Sequence, residues 1–367
     1  MKEAVIFVDN LRIGGYQRLS LDQAYGLSDL GYSVTLIVLN DKSNWDLYRI
    51  ERELIDLKNI AVNYLPNSRR SLIKHFSLKN EYLTNGVLIL SHSLAATFSL
   101  RVSRLLTRKR YTINTTIHQL PRLSHFAQRA KRFLYSQFSD ELFCFSNAVE
   151  NAWAEQFDLI PAVFISNFTK KIHTLRNGIY LPRLPVASGE SSSLRRPRII
   201  FLGRLAFWKG LGKLNDLAAN KLLANFDFLF MVPDNSNDEL IEIVKKLKTR
   251  ATVMTGKSIA DYQPSPGDVH VYPADYGDRV TEIESISLNC LEMASIGIPS
   301  LITAGGLNTW PEFSNTSMFV EVDWNNTALV VDQILNASHR RTNPKDSERL
   351  RNLISINRQL TKFCQTT

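Results

Sequence analysis

The first 39 residues alternate between strand-like apolar runs and a helical pattern, which restricts the chain to a small set of folds. Ala4 to Val8 is a short apolar run, and Gly14 and Gly15 follow it. Apolar residues then recur at helical spacing until Gly31, and Val34 to Leu39 is a second continuous apolar run. Such runs are typical of strands that are covered on both faces. The pattern therefore predicts a β-α-β unit that opens a parallel sheet.

The same alternation continues along the chain. Further strand-like runs lie at 60–64, 87–90, 111–117, 142–145, 162–165, 198–202, 226–232, 251–254, 269–272 and 300–302. Helical patterns separate several of them, and this alternation is typical of α/β proteins with parallel sheets.

A change in composition divides the chain into two parts. Residues 181–197 contain three prolines, one glycine and four serines, which indicates a linker. A length of 367 residues also suits two domains. We predict an N-terminal Rossmann-like domain at 1–182, a linker at 183–197 and a second Rossmann-like domain at 198–344. The segment 345–367 is predicted as a C-terminal helix that packs back on the N-terminal domain.

Gly14 and Gly15 form the first candidate site. A glycine pair between a strand and a helix lets backbone amides approach a ligand, and the helix N-terminus adds partial positive charge. The loop lacks the G-x-G-x-x-G spacing of dinucleotide-binding proteins. Asp41, after the second strand, keeps a nicotinamide site open, and a simple tight turn is the other alternative.

A second candidate follows the strand at 198–202. Arg204 and Lys209 lie five residues apart in a loop that Gly203 opens and Gly210 closes. Arginine binds phosphate oxygens with two nitrogens, and lysine adds a compact charge. Two cations at one strand end therefore suit a diphosphate, and two solvated loop cations are the alternative.

A third candidate joins two carboxylates to a helix start. Glu284 and Glu292 are separated by seven residues, and Glu292 lies within an apolar helical pattern. Ser287 or Asn289 is predicted to cap this helix. Free amides at a helix start bind phosphate, and carboxylates accept hydrogen bonds from sugar hydroxyls. An exposed helix charge is the alternative for Glu292.

Five segments occur in an order that resembles the family 4 retaining glycosyltransferases of GT-B fold. They are GGYQR at 14–18, RNGI at 176–179, GRLAFWKG at 203–210, the E-x7-E segment at 284–292 and GIPSLITAGG at 297–306. The resemblance implies an α/β GT-B protein whose two Rossmann-like domains face each other across a cleft. It also implies a retaining hexosyltransferase that moves a sugar from a nucleoside-diphosphate sugar to a saccharide or lipid-linked saccharide. Such reactions serve surface polysaccharide, lipopolysaccharide or glycolipid synthesis.

The resemblance assigns the donor side to the second domain. Arg204 and Lys209 match residues that hold the diphosphate, together with helix amides near Leu288. Glu292 matches a residue that binds the ribose hydroxyls, and Glu284 one that contacts the transferred sugar. The family implies no cofactor and no metal, since the nucleotide sugar is a substrate. The resemblance leaves open whether the base is that of UDP or GDP.

The first domain supplies the remaining predicted residues. Gly15 matches a position that approaches the donor phosphate, and His118 resembles the active-site histidine of the family. His92 also follows a strand and competes for that role. The family commonly has glycine where Ser285 and Ser287 stand, so the sugar pocket is expected to differ here.

Positive charge is concentrated in the first half of the chain. The net charge is +9, and residues 1–190 hold 24 basic against 16 acidic residues. No acidic residue occurs between Glu81 and Asp140. Within this stretch apolar residues from 120 to 134 recur at helical spacing, which predicts an amphipathic basic helix. It would receive the acceptor or an anionic membrane surface, and a core-packed helix is the alternative. Its cations are Arg122, Arg129, Lys131 and Arg132.

Several function classes are excluded or kept as alternatives. Three scattered cysteines favour neither a disulfide framework nor a zinc site, and they suit a reducing compartment. The chain contains no run of 18 apolar residues, so no membrane-spanning helix is predicted. We therefore expect a cytoplasmic protein, with attachment to the inner face of the membrane left open. The alternatives are a non-catalytic nucleotide-binding subunit of the same fold, a related sugar-nucleotide epimerase, and a basic nucleic-acid-binding protein, although no nucleic-acid-binding module is recognisable.

Overall fold

The computed structural model divides the chain into two compact units, each described by itself below. One unit contains residues 1–180 together with 356–367, and the other contains residues 181–355. The structure describes residues 2–11, 15–39, 47, 49–65, 69–78, 83–117, 138–144, 172–176, 178–185, 195–204, 209–233, 238–274, 286–340 and 343–366.

The first unit is built on a parallel sheet of seven strands in the order β3-β2-β1-β4-β5-β6-β7. The strands are β1 (Lys2–Val8), β2 (Tyr32–Val38), β3 (Ala61–Tyr64), β4 (Leu88–Ser91), β5 (Thr112–Ile117), β6 (Glu141–Cys144) and β7 (Ile172–Thr174). The helices between them are α1 (Gly15–Asp29), α2 (Arg49–Leu57), α3 (Arg69–Leu78) and α4 (Leu94–Thr107). Phe7 and Phe76 meet edge to face in its core, with ring centroids 5.4 Å apart. The predicted β-α-β opening is therefore present.

The second unit repeats this plan with a parallel sheet of six strands in the order β10-β9-β8-β11-β12-β13. The strands are β8 (Arg198–Leu202), β9 (Asp227–Val232), β10 (Ala251–Thr255), β11 (Val269–Tyr272), β12 (Ser300–Thr303) and β13 (Phe319–Val322). Its helices are α5 (Leu211–Ala219), α6 (Asp238–Leu247), α7 (Leu288–Ser295), α8 (Thr327–His339) and α9 (Pro344–Ile354). This is the strand order of a Rossmann fold. The predicted α/β class is thus confirmed.

The two faces of the second sheet differ in chemistry. Side chains of β11 alternate, so Val269 and Val271 join the large apolar cluster of this unit. His270 and Tyr272 face the other way, where α7 packs against β11 and β12. His270 is paired in register with Ser300 of the neighbouring strand, and its ring Nδ1 lies 3.0 Å from the Ser300 hydroxyl. A buried polar layer therefore lies on this face of the sheet.

The predicted terminal helix is two helices in the structure. After α9 the chain becomes extended at Ser355, and the Ile356 N–H donates to the carbonyl of Ile179 at 3.0 Å. The helix α10 (Ile356–Thr366) then packs against α1 of the first unit, while α9 packs against α7 of the second. The helical pattern continued through Ser355 because a break of one residue leaves the apolar spacing almost unchanged.

The described ends of the predicted linker belong to the second unit. Leu181–Arg183 forms a short 3-10 helix there, and Arg195 forms an ion pair with Asp268 at 2.7 Å. Within the described part of the chain, none of the helices combines the length and the apolar character that crossing a membrane requires.

Candidate functional site

The second sheet has a topological switch point between β8 and β11. These two strands are neighbours in space, but β8 is followed in the chain by β9 on its other side. Ligands of open α/β sheets bind in the crevice outside the carboxyl ends of the strands at such a point. Arg204 and Lys209 follow the carboxyl end of β8 in the chain. Both cations therefore belong to the segment next to which a ligand is expected.

Two glycines shape this loop. Gly203 has φ +138°, and a Cβ there would lie 2.9 Å from the side-chain amide nitrogen of Asn289. Gly210 has φ +69°, and a Cβ there would lie 1.9 Å from the carbonyl oxygen of Pro273. Only glycine adopts such backbone angles without strain. Gly210 therefore lets the loop return tightly against the end of β11.

This close return places Lys209 on Tyr272. The Lys209 ammonium donates a hydrogen bond to the Tyr272 hydroxyl and lies 4.3 Å from the centre of its ring. Lys209 is buried, with 8% of its surface exposed, whereas Arg204 is an exposed residue. The two predicted diphosphate ligands thus differ in kind, because one is a buried, oriented charge and the other a solvated one.

The helix α7 begins beside the same loop. Ser287 is its N-cap residue, but its side chain makes no capping hydrogen bond. The predicted alternative cap, Asn289, instead donates its side-chain N–H to the Leu202 carbonyl at 2.7 Å. Neither predicted cap is therefore made by a side chain, and Asn289 ties the helix to the end of β8. The amide of Leu288, the first helical residue, lies at this helix start, where an anion is favoured.

Glu292 lies one turn further along α7 and is wholly buried. Its Oε1 accepts a hydrogen bond from the Arg183 guanidinium, and the two side chains are 0% and 3% exposed. The predicted alternative, an exposed helix charge, is therefore wrong. The carboxylate sits on the polar face of the sheet, so contact with a ligand requires the surface above it to open.

Lys209 and Glu292 both act electrostatically on the buried His270. Burial is the main cause that lowers the pKa of His270 to about 3, Lys209 lowers it further, and Glu292 opposes both. Burial likewise raises the pKa of the Cys290 thiol, with opposite smaller effects from Lys209 and Glu292. Both groups are therefore neutral near pH 7. The structure thus brings Lys209 and Glu292, 83 positions apart, to the same buried histidine and thiol.

The first unit has an equivalent switch point between β1 and β4. His92 follows β4, is 6% exposed, and its Nε2 lies 2.7 Å from the Gln23 side-chain oxygen on α1. Asp9 follows β1, and burial raises the pKa of its carboxyl while a hydrogen bond with Ser93 acts against the shift. Gly15 begins α1, and a Cβ there would meet nothing within 4 Å. Packing in the described fold therefore does not demand glycine at this helix start.

Several predicted site residues lie outside the described residues. These are His118, Glu284, Ser285, Arg122, Arg129, Lys131 and Arg132. Five other cations of the same basic stretch are described, and two of them pair with Asp140. Arg101 lies 3.0 Å from this carboxylate, and Arg104 donates to both of its oxygens. Part of the basic excess is therefore neutralised within the first unit.

The sequence alone does not identify three residues of the candidate site in the second unit. The prolines and serines around Arg183 predict a linker there, and the pattern around His270 and Tyr272 predicts only a strand. The alternation of β11 was the available signal, since an apolar residue on one face and a polar one on the other mark a polar layer. Which strands are neighbours, however, follows from topology and not from local pattern.

Comparison with known proteins identifies the fold. No protein-family model matches the chain, and no curated protein matches it in sequence. Among solved structures, a glycosyltransferase from Rickettsia africae is 17% identical, with a TM-score of 0.70 over 100% of this chain and 97% of the other. Anabaena HepE, in complex with UDP and glucose, is 14% identical, with a TM-score of 0.66 over 100% of both chains. The lipopolysaccharide outer core galactosyltransferase WaaB is 12% identical, with a TM-score of 0.60 over 100% of this chain and 99% of the other.

These similarities establish the architecture. The two Rossmann-like units form the two-domain α/β fold of the GT-B glycosyltransferases. Folds of this kind host several chemistries, so function has to be argued from the site.

Proposed function

We propose that the protein is a retaining glycosyltransferase that uses a nucleoside-diphosphate sugar. The observation that carries the proposal is geometric: Lys209 contacts Tyr272 of β11, and the helix α7, which carries Glu292, packs against the same strand beside the switch point of a Rossmann-ordered sheet. A diphosphate needs cations and free amides, and a ribose needs a hydrogen-bond acceptor. Both kinds of group belong to the same end of the second unit, which supports binding of the donor there.

The leaving diphosphate accumulates negative charge during transfer. Arg204, Lys209 and the amides at the start of α7 would stabilise that charge, and this electrostatic effect usually dominates such catalysis. The transition state resembles an oxocarbenium ion. The acceptor hydroxyl would attack on the face that the diphosphate leaves. The bond from the anomeric carbon to the phosphate oxygen breaks, and that oxygen takes the acceptor proton.

The remaining roles rest on the resemblance in sequence. Glu292 would accept hydrogen bonds from the ribose, and Glu284 would contact the transferred sugar. Gly15 would approach the donor phosphate, and the open space around a Cβ at this position supports the role. His118 would lie beside the reacting sugar, with His92 as the competing residue. His92 is already bonded to Gln23, so it would need to exchange that partner to act on a sugar.

We place the acceptor, a saccharide or a lipid-linked saccharide, on the basic first unit. Arg122, Arg129, Lys131 and Arg132 would hold it against the inner face of the membrane. Exposed leucines in the described part of the same stretch support this placement, since Leu105 and Leu106 are 70% and 66% exposed just before Arg108.

Flotation with anionic vesicles tests the proposed membrane contact, and the matched control is Leu222→Glu, which changes a leucine that is 64% exposed in the second unit. Loss of binding in Leu105→Glu together with Leu106→Glu, but not in the control, would support it.

The activity test uses UDP-sugars and GDP-sugars with mixed saccharide acceptors. Release of the nucleoside diphosphate together with an acceptor-linked sugar indicates transfer, and the anomeric proton coupling in that product reports retention. Arg204→Ala and Lys209→Ala are each expected to lower turnover by about 100-fold or more. The control is Lys213→Ala, which removes a lysine bonded to Asn325. Normal turnover in both site variants would remove the assignment. Binding without turnover would favour the non-catalytic alternative, and a salt-dependent shift of DNA or RNA the nucleic-acid alternative.

A further inference from the structure

Arg183 is attached to the second unit at its first turn. The residue closes the 3-10 helix Leu181–Arg183, three residues after the point where the chain leaves the first unit. It is 4% exposed, although surface arginines usually extend into water. Its guanidinium donates to Glu292, whose side chain is 0% exposed. Arg183, which lies just after the chain passes from the first unit to the second, is therefore bonded to the Glu292 carboxylate of α7.

A buried ion pair of this kind controls the geometry of its carboxylate. Burying a charge without a partner is strongly unfavourable, so removal of one member leaves the other to reorient or to lose its charge. The planar guanidinium also restricts the direction in which the carboxylate points. A carboxylate that accepts hydrogen bonds from two adjacent ribose hydroxyls has to be both ionised and correctly rotated.

We propose that Arg183 is a positioning residue for Glu292, and that it determines how strongly the site prefers a ribose with free hydroxyls. This inference rests on the proposed function, because it assumes that Glu292 binds the ribose of the donor. Arg183 acts through Glu292 and does not itself contact the nucleotide. It engages Oε1 of the carboxylate and so restricts the rotation of the Glu292 side chain.

The second unit offers a matched control for this inference. Arg195 and Asp268 also form an arginine–carboxylate pair, and the Asp268 side chain is 0% exposed. Arg195 precedes β8 and Asp268 precedes β11, so this pair lies at the amino ends of the strands whose carboxyl ends define the candidate site. A loss that reflects only the stability of the unit would follow from either pair.

The experiment measures nucleotide preference by titration calorimetry on the full chain. UDP, GDP and ADP are tested first on the wild type, and the tightest of them is compared with its 2′,3′-dideoxy analogue. The ratio of the two affinities is then measured for Arg183→Lys, Arg183→Met, Glu292→Gln and Arg195→Lys. The melting temperature of each variant is recorded, and Arg183→Lys carries the test if Arg183→Met does not fold.

The expected result is that Arg183→Lys and Glu292→Gln each reduce the preference for the ribonucleotide by about tenfold. This is the low end of the loss seen when a group that orients a binding side chain is removed. A double variant that combines Arg183→Lys with Glu292→Gln should lose no more of the preference than Glu292→Gln alone, because the two residues act as one unit. Arg195→Lys should leave the preference unchanged.

Two other results separate the inference from the proposed function. If the wild type binds a nucleoside diphosphate but Arg183→Lys keeps the full ribose preference, the inference is wrong and the proposed function stands. Tighter binding of the nucleoside diphosphate by the Arg183 variants would also overturn the inference, because Arg183 would then compete with the ribose for the Glu292 carboxylate. If the wild type binds none of the three diphosphates, the proposed function fails and the inference falls with it.

Discussion

The ammonium group of Lys209 contacts Tyr272 through both the hydroxyl and the ring of that residue. The two residues come from different segments, since Lys209 precedes α5 and Tyr272 ends β11. A charge on a flexible stem is thereby given one position before any ligand binds.

Tyr272→Phe should destabilise the second unit because it removes the hydrogen-bond acceptor of a buried ammonium. Hydrogen bonds to charged groups contribute about 1.5–3 kcal/mol, so a loss of this size is expected in urea unfolding. Tyr272→Leu should cost at least about 0.5 kcal/mol more, because the contact with the ring is also lost. A phenylalanine variant as stable as the wild type would show that Lys209 does not depend on the hydroxyl.

Gly210→Ala should be among the most harmful single changes in this unit. The new Cβ would lie 1.9 Å from a backbone oxygen of Pro273, and neither group can turn away as a side chain would. We expect a loss of more than about 3 kcal/mol in the free energy of unfolding, together with weaker nucleotide binding. The control is Gly256→Ala, since Gly256 also has a positive φ of +62° but open space around it. That variant should lose only about 1–2 kcal/mol from backbone strain.

His270 should make the protein sensitive to mild acid. Its pKa is about 3 in the folded state and about 6.5 when the chain is unfolded. Between these pH values His270 is protonated in the unfolded state and neutral in the folded state. Its contribution to the free energy of unfolding is therefore fully present above pH 6.5 and is lost as the pH falls. The loss is up to about 1.4 kcal/mol for each pH unit.

The measurement for this prediction is urea unfolding at pH 7, 6 and 5. His270→Asn keeps an amide near Ser300 but removes the titrating group, so its stability should fall less steeply with pH than that of the wild type. Lys209 and Glu292 are present in both proteins, which leaves the difference in slope to His270. Equal slopes would contradict the prediction.

Gly26→Leu should loosen the first unit. A Cβ at Gly26 would already lie 2.8 Å from Leu360 and 2.9 Å from Asn357, both on α10. A leucine there would push the two helices apart at a cost of about 1–3 kcal/mol. Limited proteolysis should then remove α10 faster than in the wild type. Gly212→Leu is the control, because the glycine of α5 has open space around it.

The strands that the sequence predicted best are those buried on both faces. The predicted run 198–202 coincides with β8, and 269–272 with β11, because each is short, almost wholly buried and built around β-branched residues. The strands β7 and β13 were missed, since β7 has three residues and β13 includes Glu321 among its four. In both cases pairing with a neighbouring strand, and not local composition, makes the strand.

The candidate site was predictable where chemistry and spacing lie within one segment. Arg204, Lys209 and Glu292 each stand beside glycines or within a helical pattern, and the structure brings Lys209 and Glu292 together. Their partners Tyr272 and Arg183 were not predictable, because each comes from a distant segment. A local pattern identifies the charged groups of a site, whereas the fold decides which groups neutralise or orient them.

The packing of α10 on α1 has a consequence for synthesis of the protein. The first unit is built from residues 1–180 and 356–367, so 175 intervening residues are translated before its last helix leaves the ribosome. Until then the face of α1 around Gly26 has no helix to cover it, while the second unit has all its residues at Ser355. The first unit therefore begins to be synthesised first but has all its residues last. A nascent chain paused within α8 or α9 should expose an incomplete first unit to chaperones.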